Sequence, residues 1–352
     1  MNRYTKIVAI IGISSFISLM INPYPFLDFS KQILGFLFIG ITWYGFIKMQ
    51  WLNKEQLLKR YVQIAVFAAF LCIPEQILHV LNIHITPLKG AWLGLFRCYS
   101  ICDEPFFLAL LISPVFIYYM GKINSLLLRE KLSLIIIAIA LFFTFSGAAW
   151  LGILIYFLLT IFTVKSVRLK IIYFLSLIAI LSMMLMYHGT QKRIFQTIVL
   201  FKNFPAIPSY ETLETYNSSS RSIYLNAVVT WMQFKNNPLL GGGLGSHHLA
   251  YQKHVLNQIK NPIFKHYNAS DGASGALRWL SEMGLIGIFI LGLLFRRIRK
   301  TSHQEIKNSK SVYWLIRLIH AGNFFSHGSF YWLFIDENSW FNLNADNEKG
   351  KP

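Results

Sequence analysis

The most constraining feature of this 352-residue chain is a series of apolar stretches of about the length that a helix needs to cross a lipid bilayer. They lie at 7–21, 33–47, 61–80, 106–120, 132–164, 171–187, 275–295 and 312–335. Only 14% of the residues are charged, against about 25% in a typical soluble domain. The sequence therefore predicts an all-α polytopic membrane protein, and it excludes a soluble enzyme, a disulfide scaffold and a transcription factor.

The number of membrane passes depends on the stretch 132–164, which is free of charge and too long for one pass. We interpret it as two short helices that are broken at Ser146-Gly147, since glycine interrupts helices. The chain then has about nine transmembrane helices, with the N-terminus in the cytoplasm and the C-terminus outside.

The basic residues support this topology, because cytoplasmic loops of membrane proteins are enriched in Lys and Arg. With the N-terminus inside, eighteen of them fall on cytoplasmic segments: Arg3, Lys6, Lys48, Lys54, Lys59, Arg60, Lys122, Arg129, Lys131, Lys165, Arg168, Lys170, Arg296, Arg297, Arg299, Lys300, Lys307 and Lys310. The short outer loops contain only Lys31, Lys89 and Arg97. Most of the net charge of +18 is thus a topology signal rather than a nucleic-acid-binding surface.

The predicted domain organisation is four consecutive segments. Residues 1–187 form transmembrane helices 1–7, 188–274 a large extracytoplasmic loop, 275–335 helices 8 and 9, and 336–352 a polar tail. The loop contains many apolar residues, and its run 222–234 has helical spacing, so we expect it to be folded. Its basic residues outnumber its acids, which fits either an anionic ligand or an ordinary soluble surface.

A glycine-rich run, Asn237-Pro-Leu-Leu-Gly-Gly-Gly-Leu-Gly-Ser246, lies within this loop. Glycines permit positive φ and close backbone approach, so the run fits an anion-holding nest of N–H groups and, equally, a tight turn at a helix end. It lacks the Gly-Lys-Ser/Thr ending of a nucleotide-binding P-loop.

Together with Leu280-Ser-Glu-Met-Gly-Leu-Ile-Gly287, this run resembles the signature of the O-antigen ligase and O-antigen polymerase superfamily. In that family an Arg precedes an aromatic-rich helix, an Asn-Pro-Leu-x-Gly-x-Gly turn follows, and a Leu-x-Glu-x-Gly-Leu-Ile-Gly helix start closes the domain. Arg221, with Trp231 after it, matches the first element. The resemblance covers about 219–295 and implies a GT-C-like glycosyltransferase fold.

Two further stretches favour the polysaccharide polymerase branch. Arg97-Cys-Tyr-Ser-Ile-Cys-Asp-Glu104-Pro is similar to the Arg…Glu-Pro motif of the polymerases. Gly147 stands where the ligases have an Arg, and Ala273-Ser274 stands where they have a His-Asn pair. His266 would replace that His only with a different loop geometry.

The resemblance implies polymerisation of undecaprenyl-diphosphate-linked oligosaccharide repeat units, as in O-antigen or capsule synthesis. The location is then the bacterial cytoplasmic membrane with the large loop outside, and a chain-length regulator is a further candidate partner. No cofactor, no metal and no nucleic acid are expected, and no metal-ligand cluster is evident in the outer segments. A ligase with a lipid-core or protein acceptor and a lipid-linked sugar transporter are the alternatives; transporters tend to show paired repeats.

The site prediction follows from the implied reaction. The leaving lipid diphosphate is stabilised by arginines, and the acceptor hydroxyl is deprotonated or oriented by a carboxylate. The predicted residues fall into three sets: catalytic Arg221, Arg97 and Glu104; diphosphate- or substrate-binding Arg278, Gly241, Gly243, Gly245 and Ser246; structural or uncertain Glu282, Asp271 and His266. Arg278 is also spaced for an i, i+4 ion pair with Glu282. Glu104-Pro105 also suits a plain helix start.

The remaining candidates have weaker signals. Glu75 follows Pro74 inside a predicted membrane helix. An acid at such a position faces the interior of the helix bundle or has a functional role. The three cysteines do not indicate a disulfide framework. The spacing of Cys98 and Cys102 permits a disulfide, but free thiols are the preferred interpretation. His247, His248 and His254 are expected to be exposed loop histidines rather than a metal site.

Overall fold

The computed structural model describes residues 3–21, 25–48, 54–83, 95–102, 104–162, 164, 166–259, 269, 272–301 and 303–320. Within these ranges the chain is helical or irregular and contains no β-strand. This agrees with the predicted all-α class. The predicted sites His266 and Asp271 and the tail 336–352 lie outside the described residues.

Seven helices precede the predicted large loop, and they cover the first apolar stretches. They are α1 (Arg3–Ile21), α2 (Phe26–Lys48), α3 (Lys54–Val80), α4 (Pro105–Gly121), α5 (Leu128–Phe143), α6 (Gly147–Ile161) and α7 (Val167–Met186). The predicted break at Ser146-Gly147 is confirmed, since α5 ends at Phe143 and α6 begins at Gly147.

The segment 188–274 folds into further helices: α8 (His188–Phe201), α9 (Tyr210–Glu214), α10 (Ser218–Asn236), α11 (His247–Tyr251) and, after a π-helical turn at Gln252–Leu256, α12 (Asn257–Ile259). The helix predicted over 222–234 is confirmed as part of α10. Two helices follow, α13 (Gly275–Arg299) and α14 (Gln304–His320).

Three of the described helices are long and apolar enough to cross a membrane, at Gln56–Val80, Val167–Met186 and Gly275–Arg299. Shorter apolar helices lie at Ile11–Ile21, Pro105–Gly121 and Gly147–Ile161. Many large apolar side chains on these helices are exposed, for example Phe174 and Leu175 on α7 and Ile288 and Phe289 on α13. Apolar surface on this scale is typical of helices that contact lipid.

The chain divides into two compact units. Unit 1 contains α1, α2 as far as Tyr44, the segment 188–296 and the end of α14 from Arg317. Unit 2 contains the rest of α2, α3 to α7 as far as Tyr187, and 297–316. Residues close in sequence are therefore divided between the units, and each unit is described by itself.

Unit 1 has two hydrophobic clusters. One belongs to the segment 188–274, and its buried members are Leu200, Leu213, Tyr224, Leu225, Val228, Val229, Ala250, Tyr251 and Val255. The other joins α1, the glycine run and α13 through Ile11, Leu244, Met283 and Ile290. The segment 188–274 thus has a hydrophobic core of its own, as its apolar content predicts.

In unit 2, α4 lies among α3, α5 and α6, and most of its side chains are buried. Tyr61 of α3 donates a hydrogen bond to the Leu111 carbonyl, and Ser309 of α14 donates one to the Pro114 carbonyl. Gly152 of α6 lies against Ile316 of α14, where a Cβ atom would come within 2.4 Å of Ile316 Cγ1.

Candidate functional site

The glycine loop, residues 237–246, exchanges backbone hydrogen bonds with α13 in unit 1. Gly284 interrupts α13 with φ 55° and ψ −141°, so the usual i to i+4 bonds across it are lost. The carbonyls of Ser281 and Glu282 accept instead from Gly242 N–H and Gly243 N–H, both at 2.9 Å. The helix N–H groups of Leu285 and Ile286 donate to Pro238 and Leu239 carbonyls, at 2.9 and 3.2 Å. The loop thus provides hydrogen-bond partners for these two carbonyls and two N–H groups of the interrupted helix.

Two glycines make this close approach possible. A Cβ atom on Gly241, which has φ +64°, would lie 2.5 Å from the Glu282 carbonyl carbon. A Cβ atom on Gly284 would lie 2.5 Å from the Pro238 carbonyl oxygen. Both separations are far below van der Waals contact, so the two sequence motifs fit together only with glycine at these positions.

Glu282 lies at the centre of this junction and is 1% exposed. Its Oε2 accepts a hydrogen bond from Gly245 N–H at 2.9 Å, and its Oε1 accepts one from Arg278 Nε at 3.0 Å. Arg278 is itself 4% exposed. The i, i+4 ion pair that the spacing suggests is therefore present, and it is buried.

The glycine loop consequently binds an anion that belongs to the protein itself, the carboxylate of Glu282. Besides the N–H groups of Gly242, Gly243 and Gly245, the Gly241 N–H donates to the Asn237 carbonyl, and the Ser246 N–H to the Gly243 carbonyl. These groups were the candidates for an anion-binding nest, and in the structure they have acceptors within the protein. The Ser246 hydroxyl is buried and makes no hydrogen bond to the described residues.

A buried polar chain runs beside Glu282 from α10 through α11 to α13. Asn226 Nδ2 donates to the Ser222 carbonyl at 2.7 Å, which leaves Asn226 Oδ1 facing His247 Nε2 at 2.8 Å. His247 Nδ1 lies 2.9 Å from Ser281 Oγ. In this pattern the imidazole proton lies on Nε2, which donates to Asn226 Oδ1. The Ser281 hydroxyl then donates to Nδ1.

His247 is 0% exposed, so the expectation of an exposed loop histidine was wrong for this residue, while His248 and His254 are partly exposed. Burial, followed by the charges of Arg278 and His248, lowers the pKa of His247 to about 3. The imidazole is therefore neutral at physiological pH, and it links Asn226 to Ser281, the residue before Glu282, by hydrogen bonds.

Helices α1 and α2 reach the glycine loop within unit 1. Ser18 Oγ donates to the Gly241 carbonyl at 3.2 Å. His248 Nδ1 lies 2.9 Å from the Gly245 carbonyl, and its Nε2 lies 3.5 Å from Asp28 Oδ2. Residues from the first and last thirds of the chain thus meet at one loop.

Arg221 lies in the first turns of α10 and is partly buried. Asn217 caps this helix, since its side chain accepts from Ser219 N–H at 2.9 Å. Arg221 is five positions before Asn226 on the same helix, about 7.5 Å along the axis. Beside it, Ser220 Oγ donates to the backbone carbonyl of Arg193 at 3.1 Å, which joins the start of α10 to α8.

Arg97 and Glu104, the other two predicted catalytic residues, belong to unit 2. Arg97 Nε donates to the Thr144 carbonyl at 3.3 Å. Glu104 is exposed, its side chain makes no capping hydrogen bond, and Pro105 takes the first helical position of α4. The predicted helix start at Glu104-Pro105 is confirmed.

Glu75 holds the segment that carries Arg97. Its carboxylate accepts hydrogen bonds from Tyr99 N–H at 3.3 Å and from Ser100 N–H at 2.9 Å. The thiols of Cys72 and Cys98 lie beside it, within 4.8 Å of each other and of a Glu75 oxygen. The fold thus brings together three side chains of metal-ligating type that are distant in the sequence pattern, since Cys98 comes from a different segment than Cys72 and Glu75. The cysteines are free thiols, so the Cys98–Cys102 pairing that the spacing permits is not present.

Several important residues were missed at the level of the sequence. His247 and Asn226 are separated by 21 positions and become partners only when α10 and α11 pack. The role of Gly284 had a signal, because a glycine inside a helical pattern often has a packing reason.

These features define a class: a helical integral membrane protein in which a glycine-rich turn is built into the kinked start of an apolar helix. Residues 132–292, a little under half of the chain, match a family model described as O-antigen ligase. The chain therefore carries a domain of the O-antigen ligase and polymerase superfamily, and the resemblance seen in the motifs is confirmed. Neither the search of curated proteins nor that of solved structures gave a match.

Proposed function

We propose that this protein is a membrane glycosyltransferase that polymerises undecaprenyl-diphosphate-linked oligosaccharide repeat units. The observation that carries the proposal is the junction of the glycine loop with α13, with Arg278 buried in it, inside the matched domain. The Arg97 to Pro105 motif, together with Gly147 and Ala273 at the positions of ligase residues, favours the polymerase reaction.

In this reaction the acceptor hydroxyl oxygen forms a bond to the anomeric carbon of the donor. The bond between that carbon and the diphosphate oxygen breaks, and the lipid diphosphate leaves with the electron pair. Negative charge grows on the phosphate oxygens, and arginine stabilises it well because it is always charged and donates in a fork. Arg221 is the residue proposed for this contact, with Arg97 as the second catalytic arginine.

The proton of the acceptor hydroxyl passes to a base, for which Glu104 is the proposed residue. Its carboxylate is exposed, whereas that of Glu282 already accepts from Arg278 and Gly245. A general base must reach the proton that it removes, so exposure favours Glu104 over Glu282.

The glycine loop has a supporting role in this proposal. Gly241, Gly243 and Gly245 fix the path of the loop, and Ser246 offers a hydroxyl with no partner among the described residues. Arg278 is the proposed diphosphate-binding residue of the junction, and the hydrogen bond from its Nε to Glu282 fixes the position of its guanidinium group.

The proposed location is the outer face of the bacterial cytoplasmic membrane, with nine transmembrane helices and the segment 188–274 outside. Donor and acceptor are then both lipid-linked glycans, and the enzyme needs no metal for the transfer itself. The charge distribution of the sequence supports this orientation.

The test is deletion of the gene in its host, followed by complementation and glycan sizing on a gel. Wild type is expected to restore a long ladder, and Arg221→Ala to leave only single-unit product. Lys235→Ala is a matched control, because this exposed cation lies on the same helix, and it is expected to restore the ladder. An unchanged ladder with Arg221→Ala, at equal protein level, would contradict the assignment of Arg221.

Ligation is the second candidate, because the matched family model is described as O-antigen ligase. The same gel separates the two reactions. A deletion strain that retains single-unit-capped product supports polymerisation. Loss of all capped product, with lipid-linked polymer accumulating, would replace polymerisation by ligation.

A further inference from the structure

A cluster of soft and hard metal ligands lies at the end of α3 in unit 2. Cys72 and Glu75 are three positions apart and share one face of the helix, while Cys98 comes from the irregular segment 95–102. Their two Sγ atoms and a carboxylate oxygen lie within 4.8 Å of one another. Cys72 and Cys98 are both 0% exposed.

The donor set fits a thiophilic divalent cation. Zinc is bound by thiolates at about 2.3 Å and carboxylates at about 2.0–2.2 Å, so neighbouring tetrahedral ligand atoms are about 3.5–3.8 Å apart. Contraction of the cluster by about 1 Å would reach this geometry. Two thiolates and one carboxylate also favour zinc over Mg²⁺ or Ca²⁺, which prefer oxygen ligands.

The surroundings provide the hydrogen bonds that metal ligands usually receive. Gln76 Nε2 donates to Cys98 Sγ at 3.2 Å, which suits a thiolate. The N–H groups of Tyr99 and Ser100 hold the Glu75 carboxylate in place. Ser100 has φ 54°, and its hydroxyl donates to the Ala68 carbonyl at 2.7 Å, so the turn after Cys98 is fixed against α3.

We propose that Cys72, Glu75 and Cys98 bind one zinc ion, with a water at the fourth position. The ion joins α3 to the segment 95–102, which α3 otherwise holds through the hydrogen bonds of Glu75, Gln76 and Ser100. Binding releases the two thiol protons, since the metal coordinates thiolates. This proposal stands independently of the proposed function.

The experiment is metal analysis of the full-length protein purified in detergent without chelator. Wild type is expected to contain about one zinc per chain. Cobalt added after chelation is expected to give the thiolate-to-cobalt absorption of a two-cysteine site. Cys98→Ser and Glu75→Gln are expected to weaken zinc binding on the order of 10-fold or more. Since the wild-type measurement needs no variant, a variant that fails to fold leaves the test intact.

Cys102→Ser is the matched control, because this cysteine lies in the same segment, four positions after Cys98. It is expected to retain the zinc and the cobalt absorption. Loss of metal in Cys102→Ser would show that the ligand set is wrong. Wild-type protein without zinc, with free thiols or with a Cys72–Cys98 disulfide after alkylation and mass analysis, would overturn the proposal.

Discussion

At the glycine loop the motif carboxylate, that of Glu282, is 1% exposed and accepts hydrogen bonds from Arg278 and Gly245. At the start of α4 the motif carboxylate, that of Glu104, is exposed and makes no capping hydrogen bond. There the acid that organises the backbone is Glu75, which lies outside the motif. An acid in a family motif therefore serves either as scaffold or as a reactive group, and its burial and hydrogen-bond partners distinguish the two roles.

The largest expected loss of stability is that caused by Glu282→Gln. The substitution leaves the buried Arg278 without its opposite charge, and breaking a buried ion pair costs about 3–5 kcal/mol. We expect a large fall in melting temperature and in the yield of folded protein in detergent. If the variant melts within a few degrees of wild type, Glu282 is not the scaffold of the junction.

The next effect tests the junction through its backbone. Gly284→Ala places a Cβ atom against the Pro238 carbonyl and demands φ 55°, which together cost at least about 2 kcal/mol. We expect a lower melting temperature and increased proteolysis within 237–246. Gly292→Ala on the same helix is the control, because its Cβ meets no atom within 4 Å. Equal stability of the two variants would contradict the tight fit.

A smaller effect concerns pH. The unfolded chain protonates His247 below its ordinary pKa of 6.5, while the folded chain does so only near pH 3. Stability therefore falls as the pH drops through this window, by about 1.4 kcal/mol per unit from this residue.

Melting temperatures measured from pH 7.5 to 4.5 check this effect. His247→Gln offers an amide donor to Asn226 and an amide acceptor to Ser281 and does not titrate, so we expect its stability to depend less on pH than that of wild type. Burial also lowers the pKa of His254, so this residue is expected to preserve part of the pH dependence of stability in the variant. The exposed His303→Gln serves as control, and an unaltered slope in His247→Gln would contradict a neutral buried imidazole.

Much of the fold followed from the sequence, because apolar length and glycine breaks act locally. The all-α class, the break before Gly147 and the helix over 222–234 depend mainly on neighbouring residues. The junction was recognisable as two motifs, but their contact was not, since Gly242 and Ser281 are far apart in sequence. The Asn226–His247–Ser281 chain and the Cys72–Glu75–Cys98 cluster were unpredictable for the same reason: tertiary packing selects their partners.

The smallest expected effect on stability, and the sharpest separation of the two carboxylates, is that of Glu104→Gln. The side chain is exposed and makes no capping bond, so the melting temperature should change by an amount equivalent to at most about 0.5 kcal/mol. If Glu104 is the base, removing its charge should slow transfer by about 10²–10⁴-fold and abolish the long ladder. A stable variant with a normal ladder would assign Glu104 to the helix start alone. Since Glu282→Gln is expected to lose both fold and ladder, only the combination of normal stability and lost product identifies a reactive carboxylate.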